Sequence, residues 1–176
     1  MTIQKLMQNR YSVRSYSQMP LQPEHLAQIL NAGRAAPTAA NRQPQRVLVV
    51  RSEDGLERLG QCSRSLFGAP CALIVCTDRE SAWQRQQDQF NSATMDASIV
   101  TTHMMLQAWD LGIGSCWVCA FDPDKVRRLF NIPDNWQIEC LLPLGYPAAD
   151  AAPGPNHSQR KPPEATVFDE QVPEQT

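Results

Sequence analysis

This sequence predicts a layered fold in which helices cover a sheet, of the three-layer α/β or α+β kind, and three observations predict it. Short β-branched runs alternate with helical stretches along the chain. One run, Cys71 to Cys76 (CALIVC), has no polar position, as in a strand buried on both faces in the middle of a covered sheet. The stretch SATMDASIVTTHMMLQAWDLG is apolar on more than one helical face, so this helix must be buried on most sides, in the core or against a second subunit.

In chain order, Ile3 to Gln8 form an amphipathic start too short to stand alone and are expected to pack on something larger. Pro23 to Arg34 is the first clear helix, with Pro23 at its first position, Glu24 in its first turn, Leu26, Ile29, Leu30 and Gly33 at helical spacing, and Pro37 closing the segment. Arg46 to Val50 reads as a strand and Asp54 to Gln61 as a helix. The buried strand Cys71 to Cys76 begins just after Pro70. Gln84 to Leu111 then reads as one long helix ended by Gly112. A strand is expected at Cys116 to Phe121, a short helix opened by Asp122 as N-cap and Pro123, and a last core strand at Gln137 to Leu144. From Pro147 to Pro173 there are six prolines and few large apolar residues, so residues 147–176 are expected to be an extended arm on a single domain, not a second one.

Composition narrows the function classes. The 176 residues, 42% of them hydrophobic, suffice for one core without staples. Sixteen Lys and Arg against eighteen Asp and Glu leave a net charge of -2, without the basic footprint of a nucleic-acid binder. The N-terminal stretch lacks a signal peptide's apolar core, and no segment approaches the roughly 18 apolar residues of a membrane span, so a soluble cytoplasmic protein is expected. Six cysteines then read as reduced packing thiols. Cys116 and Cys119 form a C-x-x-C, but three residues along a strand put the sulfurs on opposite faces, and no metal site is expected.

Four segments have the makings of a site. In NRYSVRSY, Arg10, Ser12 and Arg14 alternate with Tyr11 and Val13, so an extended backbone projects two guanidinium groups and a hydroxyl to one side. That set suits a phosphate, since Arg offers fork-shaped donors and stays charged; a solvated surface strand gives the same pattern. The small residues around Pro37, followed by Asn41 and Gln43-Pro44, can bring backbone close to a flat ligand or merely join a helix to a strand. In DLGIGSCWVCAFD two glycines allow a tight turn, and Trp117 can wall a pocket or fill the core. Arg160 and Lys161 in the arm form a basic pair of the kind usually found solvated.

Taken in order, these residues resemble the FMN-dependent nitroreductase family. The resemblance rests on R-x-S-V-R at Arg10 to Arg14, A-P-T-A-A-N-R-Q-P at Ala36 to Pro44, the Ala69-Pro70 pair before the buried strand, and Asp96 ahead of the apolar helix. It continues with L-G-I-G-S-C-W-V at Leu111 to Val118, L-G-Y-P at Leu144 to Pro147 and the late R-K-P. It covers nearly the whole chain. It implies an α+β three-layer α-β-α fold with a central mixed, largely antiparallel sheet and an extended C-terminal arm. It also implies a homodimer with two FMN sites at the subunit interface, which would account for the apolar long helix.

By that resemblance Arg10, Ser12 and Arg160 surround the FMN phosphate, with Lys161 beside Arg160. Tyr11 contributes backbone contacts, and Arg14 reaches the polar end of the flavin or its ribityl chain. Pro37, Thr38, Ala39, Asn41 and Gln43 come from the other subunit to line the ring. Trp117, Val118, Cys119 and Ala120 lie along the ring, with a backbone N–H near Cys119 or Ala120 directed at N5. The implied activity is hydride transfer from NADH or NADPH through the flavin to an electron-poor small-molecule acceptor such as a nitroaromatic or quinone. Other reactions on the same fold, reductive dehalogenation or metabolite oxidation, and a flavin-binding module without turnover stay open. No side chain is assigned a catalytic role, and His25, His103 and His157 are expected to be structural or surface residues. Two departures stand out: Cys62 and Ser65 occupy positions where many members carry Asn and a basic residue, and the long insertion that forms a lid in larger members is missing.

Overall fold

The structure, a computed structural model, describes residues 2–173. Its elements are α1 (Ile3–Asn9), α2 (Pro23–Ala35), β1 (Gln45–Val50), α3 (Glu53–Gly60), β2 (Cys71–Asp78), α4 (Ala93–Asp110), β3 (Gly114–Ser115), α5 (Pro123–Phe130) and β4 (Trp136–Gly145), with 3-10 turns at Ala39–Asn41 and Pro163–Ala165. The four strands form one sheet in the order β1-β2-β4-β3, every strand pair antiparallel; the one parallel pairing is a single bridge between Ser12 and Ser115. The α+β three-layer architecture expected from the sequence is the one observed.

The apolar run of β2 explains the layers. Successive side chains point to opposite faces. Cys71, Leu73 and Val75 pack with Leu26 and Ile29 of α2 and Val100 and Met104 of α4, while Ala72, Ile74 and Cys76 pack with Leu59 of α3 and Val126 of α5. β2 pairs with β1 on one side (Gln45 opposite Thr77) and β4 on the other (Cys71 opposite Leu144), where Glu139 is the extra residue of a bulge between the Val75–Cys140 and Cys76–Ile138 pairs. No helix among the described residues is long and apolar enough to cross a membrane.

Two expected elements differ. The long helix begins at Ala93, not Gln84. Residues 84–92 instead fold back on themselves, with a bridge between Gln84 and Asn91 and an Arg85–Asp88 ion pair of 2.6 Å. The polar run has no apolar face to bury, and its short side chains compete for the backbone: Asp88 accepts from Phe90 N–H and Asn91 from Ala93 N–H. The strand expected at Cys116 to Phe121 is regular only at Gly114–Ser115 and returns as one bridge at Val118–Leu141. Cys116 N–H still donates to Pro143 O at 3.3 Å, but Pro143 has no N–H to return, and the ladder breaks there.

α4 ends as Gly112 foretells. Gly112 sits at φ +73°, its N–H bonded to Trp109 O (3.0 Å) and that of Ile113 to Ala108 O (2.8 Å), the paired bonds of a left-handed helix stop. The turn delivers Gly114 and Ser115 to the sheet edge, against the N-terminal segment. α4 buries Ala97, Val100, Met104 and Ala108, yet Met95 remains 54% exposed and Ile99 and Leu106 half-buried on another side. Residues 148–173 are largely exposed.

Candidate active site

Residues 10–17 run between the sheet edge and the arm. Val13 N–H donates to Ser115 O (3.0 Å); on the other side Ser17 N–H donates to Tyr146 O (2.9 Å) and Ala148 N–H to Ser15 O (3.1 Å). The alternation read from the sequence is realised. Val13 is fully buried and lies so close to Gly114 that a Cβ there would meet its Cγ2 at 2.6 Å, while Arg10, Ser12 and Arg14 turn the other way. Tyr16, buried beneath, donates its hydroxyl to Val13 O at 2.9 Å, and burial pushes its pKa well up, keeping it a neutral donor.

The arm returns over this segment. Tyr11 Oη donates to Ala151 O (3.2 Å) and Ser15 Oγ to Asp150 Oδ1 (2.9 Å), which hold residues 148–151 in place. A turn follows, with His157 N–H on Gly154 O (2.9 Å) and Arg160 Nη1 donating to His157 O and Gln159 O (2.7 Å each). Arg10, Tyr11, Ser12 and Arg14 from one end of the chain and Gly154, Pro155, Asn156, His157 and Arg160 from the other thereby enclose a cavity of about 430 Å³.

The electrostatics of the cavity are one-sided. No Asp or Glu is among its lining residues. Arg10 is half-buried, and its Nη1 atom, shielded from solvent, has no hydrogen-bond partner among the described residues. Burial, and then repulsion from Arg160, hold its pKa below the usual arginine value. Behind them the Cys116 thiol is raised by burial, opposed by Arg14, a hydrogen bond with Ser12, and Arg10. Arginines gathered on one cavity with no carboxylate among its lining residues suit an anion.

The other expected site residues lie elsewhere. Pro37, Thr38, Ala39, Asn41 and Gln43 do not line this cavity. Their loop is tethered to the start of α4 by Asp96, whose buried carboxylate accepts from Ala39 N–H and Ser92 Oγ at 2.8 Å each. Ala40, Asn41 and Gln43 hold φ of +49°, +51° and +51°, a strained run for non-glycine residues. Trp117, Cys119 and Ala120 follow β3, with Trp117 Nε1 donating to Cys119 Sγ at 3.2 Å; the N–H groups of Cys119 and Ala120 have no partner among the described residues. Val118 is core: its side chain is buried and both its backbone groups bond Leu141. Lys161 is exposed and outside the cavity.

Near Cys62 and Ser65, Ser63 Oγ donates to Ala120 O at 2.7 Å and Asp122 N–H to Cys62 O at 3.0 Å, so this segment buttresses the Cys119–Ala120 turn. Ser63 and the arm residues Gly154, Asn156 and His157 were not anticipated. Only the path of the chain brings them in, whereas a carboxylate in an apolar helix does mark Asp96 in the sequence.

An antiparallel sheet covered on both faces, with an arginine-lined cavity built from both chain ends, defines the class of protein: a three-layer α+β protein. Residues 7–66 and 61–146 match the Nitroreductase family. The chain is 38% identical to a nitroreductase family protein of Clostridium difficile 630, whose crystal structure superposes with a TM-score of 0.91 over 98% of this chain and 100% of that one. It is 30% identical to an NADH dehydrogenase of Thermus thermophilus, over 90% of this chain and 91% of that protein. A structure described as an oxidoreductase containing FMN shares the fold at 21% identity, with a TM-score of 0.82 over 99% of this chain and 95% of that one. The chain belongs to the nitroreductase family of oxidoreductases.

Proposed function

We propose that this protein is an FMN-dependent oxidoreductase that takes reducing equivalents from NADH or NADPH and delivers them to an electron-poor small molecule such as a nitroaromatic or quinone. The observation that carries the reading is the convergence of Arg10, Ser12 and Arg14 with Arg160 on one cavity that no carboxylate lines, with Arg160 opposing the charge of Arg10. The donors fit a phosphate monoester: two guanidinium forks and the Ser12 hydroxyl offer charge-assisted bonds to its oxygens. FMN held there supplies hydride acceptance and donation at its N5.

The chain's own residues bind, orient and stabilise. Arg10, Ser12 and Arg160 hold the phosphate end, and Arg14, exposed at the cavity, supplies a fixed cation for charge that develops during reduction. The N–H groups of Cys119 and Ala120 are free to donate to a ligand. The 37–43 loop lies outside this cavity, which suits the expectation that it serves the site of a partner subunit. The outward side of α4, with Met95, Ile99 and Leu106, and exposed Ile3 and Met7 on α1 are the apolar surface a homodimer would cover.

The visible spectrum of the purified protein tests the reading. A yellow protein is expected, bleached by NADH or NADPH and recoloured by a nitroaromatic or quinone. A colourless protein that takes up no added FMN overturns it. Light scattering should give twice the chain mass; a monomer refutes the shared site.

A further inference from the structure

His157 is half-buried between exposed neighbours, and it lines the same cavity as the three arginines. Its ring packs edge-on against Tyr11, centroids 6.1 Å apart at 71°. Tyr11 is itself fixed by Trp109 (5.1 Å, 71°) and by its bond to Ala151 O, so the imidazole rests on a rigid wall. Its backbone is equally committed, N–H to Gly154 and carbonyl to Arg160.

The groups facing this position are cations or already engaged. Arg10 and Arg14 come from the N-terminal segment and Arg160 from the arm; the Tyr11 hydroxyl is bonded to Ala151, and Asp150 to Ser15. Cys116 lies behind Ser12 at the sheet edge, its thiol held neutral by burial. No carboxylate lines the cavity. A phosphate bound in this cavity would bring negative charge beside the imidazole, and a proton on the ring would then pair with it. Anion binding and protonation of this ring must therefore be linked, each favouring the other.

We propose that His157 is a titrating phosphate ligand: protonated, it adds a further cation to the cavity, so that FMN is retained more tightly on the acid side of neutrality. The proposal rests on the phosphate reading of the cavity and adds to it a residue and a pH dependence. The phosphate's own second ionisation, with pKa about 6, works in the opposite direction, because the dianion that forms above it binds the arginines better. A comparison of variants separates the two effects.

The experiment is FMN binding to apo protein at about pH 5.5 and about pH 8.5, on either side of the ordinary histidine range. It compares the unmodified chain, His157→Gln and His157→Arg, with riboflavin, which lacks the phosphate, as the second ligand. His157→Gln should weaken FMN binding about fivefold at the acid pH and scarcely at the alkaline one, the size of one partly screened charge contact. His157→Arg should keep the tight binding at both, and riboflavin should show no such difference. A His157→Gln effect of equal size at both pH values would mean that the ring only packs on Tyr11, and overturns the proposal. If FMN and riboflavin bind alike in every variant, or neither binds, the phosphate reading itself fails and this proposal with it.

Discussion

Arg10→Met separates stability from affinity by sign. The methionine keeps most of the apolar stem and removes the guanidinium. In the ligand-free protein that guanidinium is a burden: half-buried, with Nη1 unpartnered and Arg160 opposing it. Leaving a buried donor unsatisfied costs about 1–3 kcal/mol, and partial exposure places Arg10 at the low end, about 1 kcal/mol. Its removal should raise the melting temperature of the apo protein by about 2–4 °C for a chain of this size. With FMN the sign reverses, because a charge-assisted bond worth about 1.5–3 kcal/mol is lost, a weakening of about 10- to 150-fold. Thermal unfolding of both proteins, with and without FMN at one fixed excess, reads both effects, since a ligand stabilises the fold by an amount that grows with the logarithm of its concentration over Kd. If Arg10→Met melts lower without ligand and binds FMN unchanged, Arg10 is an ordinary structural residue and the cavity is no phosphate site.

Three further outcomes follow from single contacts. Asp96→Ala frees Ala39 N–H and the Ser92 hydroxyl, so it should lower stability by about 1–3 kcal/mol and speed amide exchange at Ala39; Ala39 exchange unchanged from the parent would show that Asp96 does not hold the loop. Gly114→Ala drives a Cβ to 2.6 Å from buried Val13, and a cost of about 1–3 kcal/mol in urea unfolding, with weaker FMN binding because Val13 carries Arg10, Ser12 and Arg14, is expected; an unaffected variant would mean this edge yields freely. Burial pushes the Cys71 thiol up to about 11 and those of Cys76 and Cys140 up to about 12, while unfolded thiols ionise near about 8.5. The folded state therefore holds more protons above about pH 8.5. The urea midpoint should be level below that pH and fall as pH rises towards 12, and a midpoint level to about pH 11 would contradict the burial of these thiols.

Where local chemistry decides, the sequence was legible. The two-sided burial of β2 follows from CALIVC alone, the start of α5 from Asp122, whose carboxylate accepts from Lys125 N–H, and the end of α4 from Gly112. The two misreadings have local causes of another kind. The 84–92 segment has helix-compatible residues but no apolar stripe, and its Asp and Asn side chains capture the backbone first. The strand after Ser115 fails because of Pro143, whose position opposite Cys116 is a matter of register between segments far apart in the chain.

The same division runs through the candidate site. Alternation placed Arg10, Ser12 and Arg14 on one side of an extended segment, and that much needed only a two-residue period. Arg160 enters the site only through resemblance to a family, and the sequence marks His157 as no more than a structural or surface residue. By itself the sequence determined the layers, the end of α4, the start of α5 and the donors of one half of the cavity, since these depend on neighbours a few residues apart. The meeting of the two chain ends, the unpartnered Nη1 of Arg10 and the ring of His157 on Tyr11 belong to the tertiary structure. They depend on the path of the arm, which the Tyr11–Ala151 and Ser15–Asp150 bonds set, and no local pattern encodes contacts at that separation.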